Sequence, residues 1–289
     1  MKEALWWRAI SIAPALLLFG LLTLLPMAML LAISLHDVTW SMGKPHWTFT
    51  GLRHYAELAG DGLLGASIRN TLVFAFVAVG LQMLLGLALA LLTSGIAHGQ
   101  TAYRMVFLLP ILIPGIVIGA IWKLMFSFDF GIINLALGAV GLAPQDWLGE
   151  RSLALGSIIA VDVWHWTPFC YLLLLAGLEA LPRDVFEAAR VDGAGLWQTL
   201  RHVTLPLLAP TIVVTFIFRL ILAFKVFDEV YLLTGGGPGT STEVISFTIY
   251  RRFFIEDRAG YGAAMSVATF VLIAVLIAAA ASAGRRRTA

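Results

Sequence analysis

The chain has 289 residues, of which 60% are hydrophobic and only 12% are charged, and its mean hydropathy is +0.91. Soluble globular domains carry about 25% charged residues, so this composition predicts an integral membrane protein. The formal net charge is +2 and the only basic run is Arg285–Arg287, so nothing in the composition favours binding to nucleic acid.

Six apolar segments are long enough to cross a membrane, because about 20 helical residues cover the roughly 30 Å hydrocarbon layer. They are predicted at 9–35, 71–93, 105–126, 154–181, 206–233 and 262–283. The first segment is too long for the core of a cleaved signal peptide. We therefore expect an all-α polytopic fold with six transmembrane helices in one membrane domain, residues 1–289, that contacts lipid.

The distribution of Lys and Arg predicts which side each loop faces. Nine of these residues lie in the two termini and the loops 94–104 and 182–205, whereas seven lie in the longer loops 36–70, 127–153 and 234–261. Cytoplasmic loops are enriched in positive charge. Both termini and the 182–205 loop are therefore expected in the cytoplasm.

Several residues within the predicted spans bear on helix packing. Prolines occur at Pro110, Pro114, Pro168 and Pro210. Each removes a backbone hydrogen bond, which suits kinked helices along a moving pathway and equally suits tolerated kinks in a static bundle. Gly115 and Gly119 form a GxxxG pair that would let two helices approach closely. The only cysteine, Cys170, is expected to be a buried apolar residue.

The polar segment between the fourth and fifth spans has features of a docking element. Leu196, Leu200 and Val203 follow helical spacing and predict a short helix with one apolar face. The DGAG sequence at 192–195 permits a sharp bend. Small alanines beside that bend would let a partner approach, and nearby charged side chains could form hydrogen bonds across the contact. An amphipathic connector lying on the membrane without a partner is the alternative.

A specific motif in this segment favours docking. Residues 187–206 read EAARVDGAGLWQTLRHVTLP, in which EAA, three residues, Gly193, eleven residues and Leu205-Pro206 follow in order. This pattern resembles the cytoplasmic coupling loop of the permease subunits of binding-protein-dependent ABC importers, with Val203 where Ile is commonest. The resemblance implies that the following residues contact a separate ATPase: Glu187, Ala188, Ala189, Arg190, Asp192, Gly193, Leu205 and Pro206.

The resemblance extends over residues 10–283. FLLPILIPGIVIGAIWKLMF (107–126), VWHWTPF (163–169), FRLILAFKVFDEVYLLTGGGP (218–238) and GYGAAMS (260–266) are similar to maltose-type permeases of the sugar and glycerol-phosphate class. Such a chain would lie in a bacterial inner membrane and import a sugar or sugar-like solute by alternating access. Its expected partners are a second permease subunit, two copies of the ATPase subunit and an external solute-binding protein.

No motif for catalysis is visible in the sequence. GGGPGTST at 235–242 lacks the lysine of a phosphate-binding loop, and no metal-ligand spacing or nucleophile elbow occurs. We expect no catalytic residue, metal or cofactor in this chain, with ATP and Mg²⁺ bound by the partner ATPase. A self-contained secondary transporter would need internal repeats and clustered carboxylates. A membrane-embedded enzyme would need a convergent catalytic set.

Ionisable residues inside predicted spans are costly and face protein or water. Asp162, Glu179, Arg219 and Lys225 are such residues. Counted from the outer ends of their spans, Asp162 and Lys225 both lie about 12 Å deep and Arg219 about 21 Å. An Asp162–Lys225 pair is geometrically plausible, which would leave Arg219 to donate hydrogen bonds to a solute. The alternative is that Arg219 forms a structural pair within the membrane.

The family resemblance implies that the helices entering the coupling loop and the GGP loop contact solute. The candidate residues are Asp162, His165, Trp166, Phe169, Arg219, Leu222, Ala223 and Val226. Aromatic faces beside hydrogen-bond donors suit a sugar ring. Arg219 and His165 hint at an anionic solute, and a charge-balanced pathway for a neutral sugar is equally compatible with the sequence.

Overall fold

The computed structural model describes residues 2–94 and 100–288 and divides into two compact units. Unit 1 comprises Met1–Gly62 and Thr248–Leu272, and unit 2 comprises Leu63–Phe247 and Ile273–Ala289. Long apolar helices dominate the described residues. The predicted all-α membrane fold is confirmed.

Unit 1 begins with the long helix α1, Lys2–Ser34, whose apolar side chains such as Leu17 and Phe19 are exposed. Two antiparallel strands follow, β1 (His36–Ser41) and β2 (Lys44–Phe49), and then helix α2 (Arg53–Leu58). Met42 and Gly43 form the two-residue turn of the hairpin, and both have positive φ, 50° and 74°, which suits the right-handed strand twist. This hairpin was not predicted from the sequence.

Charged side chains link α2 to the carboxyl-terminal part of unit 1. Arg252 donates to Asp61 (3.0 Å) and Arg258 donates to Glu57 (2.7 Å). Burial lowers the pKa of the Arg252 guanidinium, but its contacts with Glu256 and Asp61 outweigh that effect and raise the pKa above its ordinary value. These partners fix the segment that joins the last two helices of the chain.

Unit 2 holds most of the remaining helices. It contains α3 (Gly62–Ser94), α4 (Gln100–Leu108), α5 (Gly115–Met125), α6 (Ile132–Ala139), α7 (Ala154–Glu179), α8 (Arg183–Val191), α9 (Leu196–Thr199), α10 (Leu205–Ala223) and α11 (Asp228–Leu233). A 3₁₀ turn covers Pro110–Leu112 and a π-helical turn covers Leu200–Thr204. Helix α12 (Ile245–Tyr250), a π-helical turn (Arg251–Ile255) and α13 (Ala259–Thr288) complete the chain.

Two predicted spans differ from the structure. Among the described residues, five helical segments are long and apolar enough to cross a membrane: Ser11–Ser34, Gly62–Ser94, Ala154–Glu179, Leu196–Ala223 and Ala259–Leu276. The predicted third span, 105–126, is divided between α4, the 3₁₀ turn and α5, because Pro110 and Pro114 interrupt the hydrogen bonding of a continuous helix.

The predicted fifth span, 206–233, is also interrupted. Helix α10 ends at Ala223, and a short non-helical segment precedes α11. The Ser246 hydroxyl donates to the carbonyl oxygen of Val226, so a side chain satisfies a backbone acceptor there.

Helix α7 packs against both α3 and α10 through glycines. A Cβ atom added at Gly86 would lie 2.8 Å from the Cβ of Cys170, and one added at Gly177 would lie 2.7 Å from the side chain of Thr211. Close approach of this kind is the usual role of small residues between membrane helices. The buried core around these contacts consists of Ala90, Tyr171, Leu174, Leu175 and Leu208.

The Gly115–Gly119 pair lies against α11. A Cβ atom added at Gly115 would be 2.8 Å from Asp228 Oδ2, and one added at Gly119 would be 2.8 Å from the Cβ of Leu232. The two glycines therefore let α11 approach α5 as the GxxxG spacing predicts, and they bring an acidic side chain close to α5.

Candidate functional site

A buried group of polar side chains joins α3, α7 and α10. Arg219 Nη2 donates to Asp162 Oδ2 at 2.5 Å, and Gln82 Nε2 donates to the same oxygen at 2.8 Å. Arg219 is 1% exposed and Asp162 is 2% exposed. A buried charge pair of this kind requires close geometry to offset desolvation, and both hydrogen bonds supply it.

The expected Asp162–Lys225 pair is wrong, and the structure replaces it with Asp162–Arg219. The depth estimate treated residues 206–233 as one straight helix. Because α10 ends at Ala223, Arg219 lies about 6 Å from the outer end of its helix instead of about 21 Å. The structure thus supports the alternative in which Arg219 forms a structural pair.

Two further contacts surround this pair. The guanidinium carbon of Arg219 lies 4.9 Å from the ring centroid of Trp166, within the range of a cation–π interaction. His165 Nδ1 lies 3.4 Å from Glu229 Oε1, and both side chains are buried. Helices α7, α10 and α11 are therefore connected by charged and aromatic side chains.

A pocket of about 310 Å³ opens beside this group. Its lining consists of Gly115, Asp162, His165, Trp166, Leu222, Lys225, Val226, Phe227, Asp228 and Glu229. Apolar surface together with several convergent polar groups is typical of small-molecule sites. The pocket therefore has the size and composition to hold a small polar solute.

The structure brings most of the predicted solute residues to this pocket. Asp162, His165, Trp166, Leu222 and Val226 line it. The other three do not, since Arg219 and Ala223 are buried behind it and Phe169 packs edge-on to Trp166 at 6.1 Å between ring centroids.

Three polar residues of the site were missed in the sequence, namely Gln82, Asp228 and Glu229. All three lie inside segments that were predicted as membrane spans, 71–93 and 206–233. Polar side chains inside a membrane span are energetically costly and therefore indicate a functional or structural role, so these three residues could have been named as candidates from the sequence. Glu179, which was included, instead forms an ion pair with Arg104 of α4.

The coupling segment, residues 182–205, forms two short helices at an angle set by glycine. Helix α8 ends at Val191, Gly193 has φ +73°, and α9 begins after Gly195. Positive φ favours glycine because it has no Cβ atom. Leu196 is 94% exposed and Trp197 is 70% exposed, so this segment presents large apolar side chains that the described chain does not cover.

The predicted coupling residues divide between two grooves and the start of α10. Glu187 and Arg190 line a groove of about 730 Å³. Ala189, Asp192 and Gly193 line another of about 410 Å³. Ala188 is exposed on α8, and Leu205 and Pro206 begin α10.

The described residues contain no group of three or more His, Cys, Asp or Glu that could ligate a metal ion. In the 235–242 loop, Asn70 Nδ2 donates to the carbonyl oxygen of Thr240 at 2.8 Å, and Thr242 Oγ1 donates to that of Gly237 at 2.7 Å. Hydrogen bonds within the chain therefore stabilise the conformation of this loop.

Comparison with known proteins gives a family and several relatives. Residues 82–288 match the family described as binding-protein-dependent transport system inner membrane component. The trehalose/maltose transport system permease protein MalF of Thermococcus litoralis is 40% identical over 91% of this chain and 88% of its own length. The sulfoquinovosyl glycerol transport system permease protein SmoG of Agrobacterium fabrum is 34% identical over 90% of this chain and 84% of its own.

A solved structure shares the fold. It is the crystal structure of a bacterial alginate ABC transporter in complex with an alginate pentasaccharide-bound periplasmic protein, with a TM-score of 0.85 and 24% identity. The match covers 99% of this chain and 96% of that chain. Together with the family match over most of its length, these findings confirm the resemblance predicted from the EAA motif: the chain belongs to the inner membrane components of binding-protein-dependent transport systems.

Proposed function

We propose that this chain is the permease subunit of an ATP-driven importer for a sugar or sugar-like solute. One observation carries the proposal. Helices α7 and α10 both line the solute-sized pocket, and the coupling segment connects their inner ends. A force on that segment would act on both walls of the pocket, which is what alternating access requires.

The solute class is supported by the relatives. MalF is named for trehalose and maltose and SmoG for sulfoquinovosyl glycerol, so a carbohydrate is the common feature. In this proposal Asp162, His165, Trp166, Leu222 and Val226 contact the solute, while Arg219, Phe169 and Ala223 support them from behind. Trp166 offers an apolar ring face, and the polar groups beside it suit the hydroxyl rim of a sugar.

The proposed assembly contains four kinds of component. A second permease subunit completes the pathway, two ATPase subunits dock on the coupling segments, and a solute-binding protein docks on the outer loops. ATP and Mg²⁺ are bound by the ATPase, so this chain performs no catalysis and holds no cofactor. Both termini lie in the cytoplasm. The exposed Leu196 and Trp197 supply apolar surface for the ATPase contact.

The test compares two substitutions at the bend of the coupling segment. No atom lies within 4 Å of a Cβ atom placed at Gly193, and its φ is +73°. Asp and Asn adopt that conformation more readily than most other non-glycine residues, and they differ in charge. We expect Gly193→Asp to remain in the membrane but to lose solute uptake and co-purification of the ATPase, whereas Gly193→Asn retains most of both.

Normal uptake by Gly193→Asp would contradict the docking role of the segment. If the wild-type chain transports solute and no ATPase co-purifies with it, the proposed docking of the ATPase on this segment is wrong. Equal membrane levels of both variants serve as the control for folding.

A further inference from the structure

The net charge of the pocket depends on which of the positively charged side chains in and beside it are paired with carboxylates. Arg219 is the residue that would most favour an anionic solute, but its Nη2 donates to Asp162 and its guanidinium lies over Trp166. The side chain is almost fully buried and is not part of the pocket lining. Its positive charge is therefore offset by a carboxylate that lies between the guanidinium and the solute space.

His165 is neutralised in the same way. It lies 3.4 Å from Glu229, and both residues line the pocket. When the imidazole is neutral it contributes no charge, and when it is protonated it forms an ion pair with Glu229. Neither state leaves an unpaired cation for a solute.

The remaining charged groups on the wall are Lys225 and Asp228. Both side chains are exposed, and neither forms an ion pair within the part of the chain that the structure describes. One is positive and the other negative. With the Asp162–Arg219 pair counted as neutral, the wall carries two carboxylates, Asp228 and Glu229, against Lys225, so it has no excess of positive charge.

Building on the proposed import function, we propose that this pocket takes an electrically neutral, hydroxyl-rich solute such as an unmodified sugar, and that it disfavours acidic sugars. Ionised carboxylates only accept hydrogen bonds, so groups that face Asp228 and Glu229 must donate, as sugar hydroxyls do. A solute carboxylate or sulfonate near these two groups would be repelled, and Lys225 alone could not offset both carboxylates. The volume of about 310 Å³ provides space for a sugar ring.

Equilibrium binding to the purified membrane complex tests this proposal without the selectivity of the solute-binding protein. The probes are maltose and the disaccharide of the same size in which one hydroxymethyl group is oxidised to a carboxylate. We expect maltose to bind at least about tenfold more tightly than the acidic disaccharide. Equal or tighter binding of the acidic disaccharide would overturn the inference and leave the import function intact.

Failure of both sugars to bind would also overturn the inference, whereas the proposed function is tested separately by uptake and by co-purification of the ATPase. These two results are independent, so the failure of one proposal can be distinguished from the failure of the other.

Substitutions that change the charge of the pocket provide a gain-of-function test. In Asp162→Asn the hydrogen-bond acceptor is kept but Arg219 becomes an uncompensated cation. We expect this variant to bind the acidic disaccharide about tenfold more tightly than the wild type does. Asp228→Asn, which alters an exposed side chain outside the buried pair, should shift selectivity in the same direction by a smaller factor.

The matched control is Asp129→Asn. Asp129 is an exposed carboxylate of the same unit that does not line the pocket, so its substitution should leave both affinities unchanged. If Asp228→Asn and Asp129→Asn have the same effect on selectivity, the pocket does not discriminate solutes by charge.

Discussion

At the scale of single residues, the buried pair of Asp162 and Arg219 has a large energetic consequence. Removing either side chain would leave the other as an unpaired charge in a buried environment. Breaking one partner of a buried ion pair costs about 3–5 kcal/mol. Replacing both partners with apolar residues of similar size removes that penalty.

We therefore expect Arg219→Met and Asp162→Leu each to lower the thermal stability of the purified protein strongly, and the double variant to lose much less than the sum of the two. A double-mutant cycle measured by thermal unfolding in detergent determines the coupling. Additive losses would show that the two residues do not stabilise each other.

The sequence allowed five of the pocket residues to be named but not their pairing. Asp162, His165 and Trp166 follow from their position on one helix before a recognisable loop. The partner of Arg219 did not follow, because pairing depends on where α10 ends, and the four residues after Ala223 have no pattern that distinguishes them from helix. Gln82 is separated from Asp162 by 80 positions in the chain, so only tertiary structure brings the two together.

At the scale of secondary-structure elements, glycines determine how closely the helices pack. Gly86 on α3 faces α7, where an added Cβ atom would lie 2.8 Å from Cys170 Cβ and 2.9 Å from the backbone nitrogen of Tyr171. Gly80 is on the same helix, and nothing lies within 4 Å of a Cβ atom there. Comparing Gly→Ala substitutions at these two positions therefore distinguishes the effect of helix packing on stability from the effect of helix propensity.

We expect Gly80→Ala to preserve or raise thermal stability, since alanine favours a helix over glycine by about 1 kcal/mol. In contrast, Gly86→Ala should lower the melting temperature, because the added methyl group forces α3 away from α7. Thermal unfolding of the two purified variants is the measurement. Equal melting temperatures would mean that the approach of α3 to α7 is not tight.

Helices were predicted correctly where the apolar segments are uninterrupted. Their bounds were predicted wrongly where a proline or a non-helical segment interrupts the helix. The bounds of α7 differ from the predicted 154–181 by only two residues at one end. In the third predicted span, Pro110 and Pro114 follow its first residue by five and nine positions and indicate an interruption of the helix. The sequence alone does not distinguish a kinked helix from two separate helices at these prolines. The β1–β2 hairpin was missed because Met42-Gly43 is a less common turn sequence than Asn-Gly.

At the scale of the whole molecule, the orientation in the membrane is a consequence of the loop charges. The hairpin turn at Met42 should face outward, and the coupling segment around Arg201 should face inward. Both side chains are exposed, whereas the single native cysteine, Cys170, is fully buried. The native protein therefore provides a low background for thiol labelling.

We expect a membrane-impermeant maleimide to label Met42→Cys in intact spheroplasts, and to label Arg201→Cys only after the membrane is permeabilised. The unmodified protein should remain unlabelled in both conditions. Labelling of Arg201→Cys from outside would reverse the proposed orientation and exclude docking of a cytoplasmic ATPase on this segment.

The close approach of α7 and α10 at Gly177 would let this crossing serve as a pivot for the two pocket helices. A Cβ atom added at Gly177 would lie 2.7 Å from Thr211 and 2.9 Å from Leu208 of α10, and Asp162 lies fifteen residues before Gly177 on α7, which corresponds to about 22 Å. A rotation of about 10° around that crossing would displace the pocket end of α7 by roughly 4 Å, by the geometry of a rigid helix of this rise. A small tilt at this crossing would then widen the pocket end of the two helices by slightly more than the diameter of a water molecule.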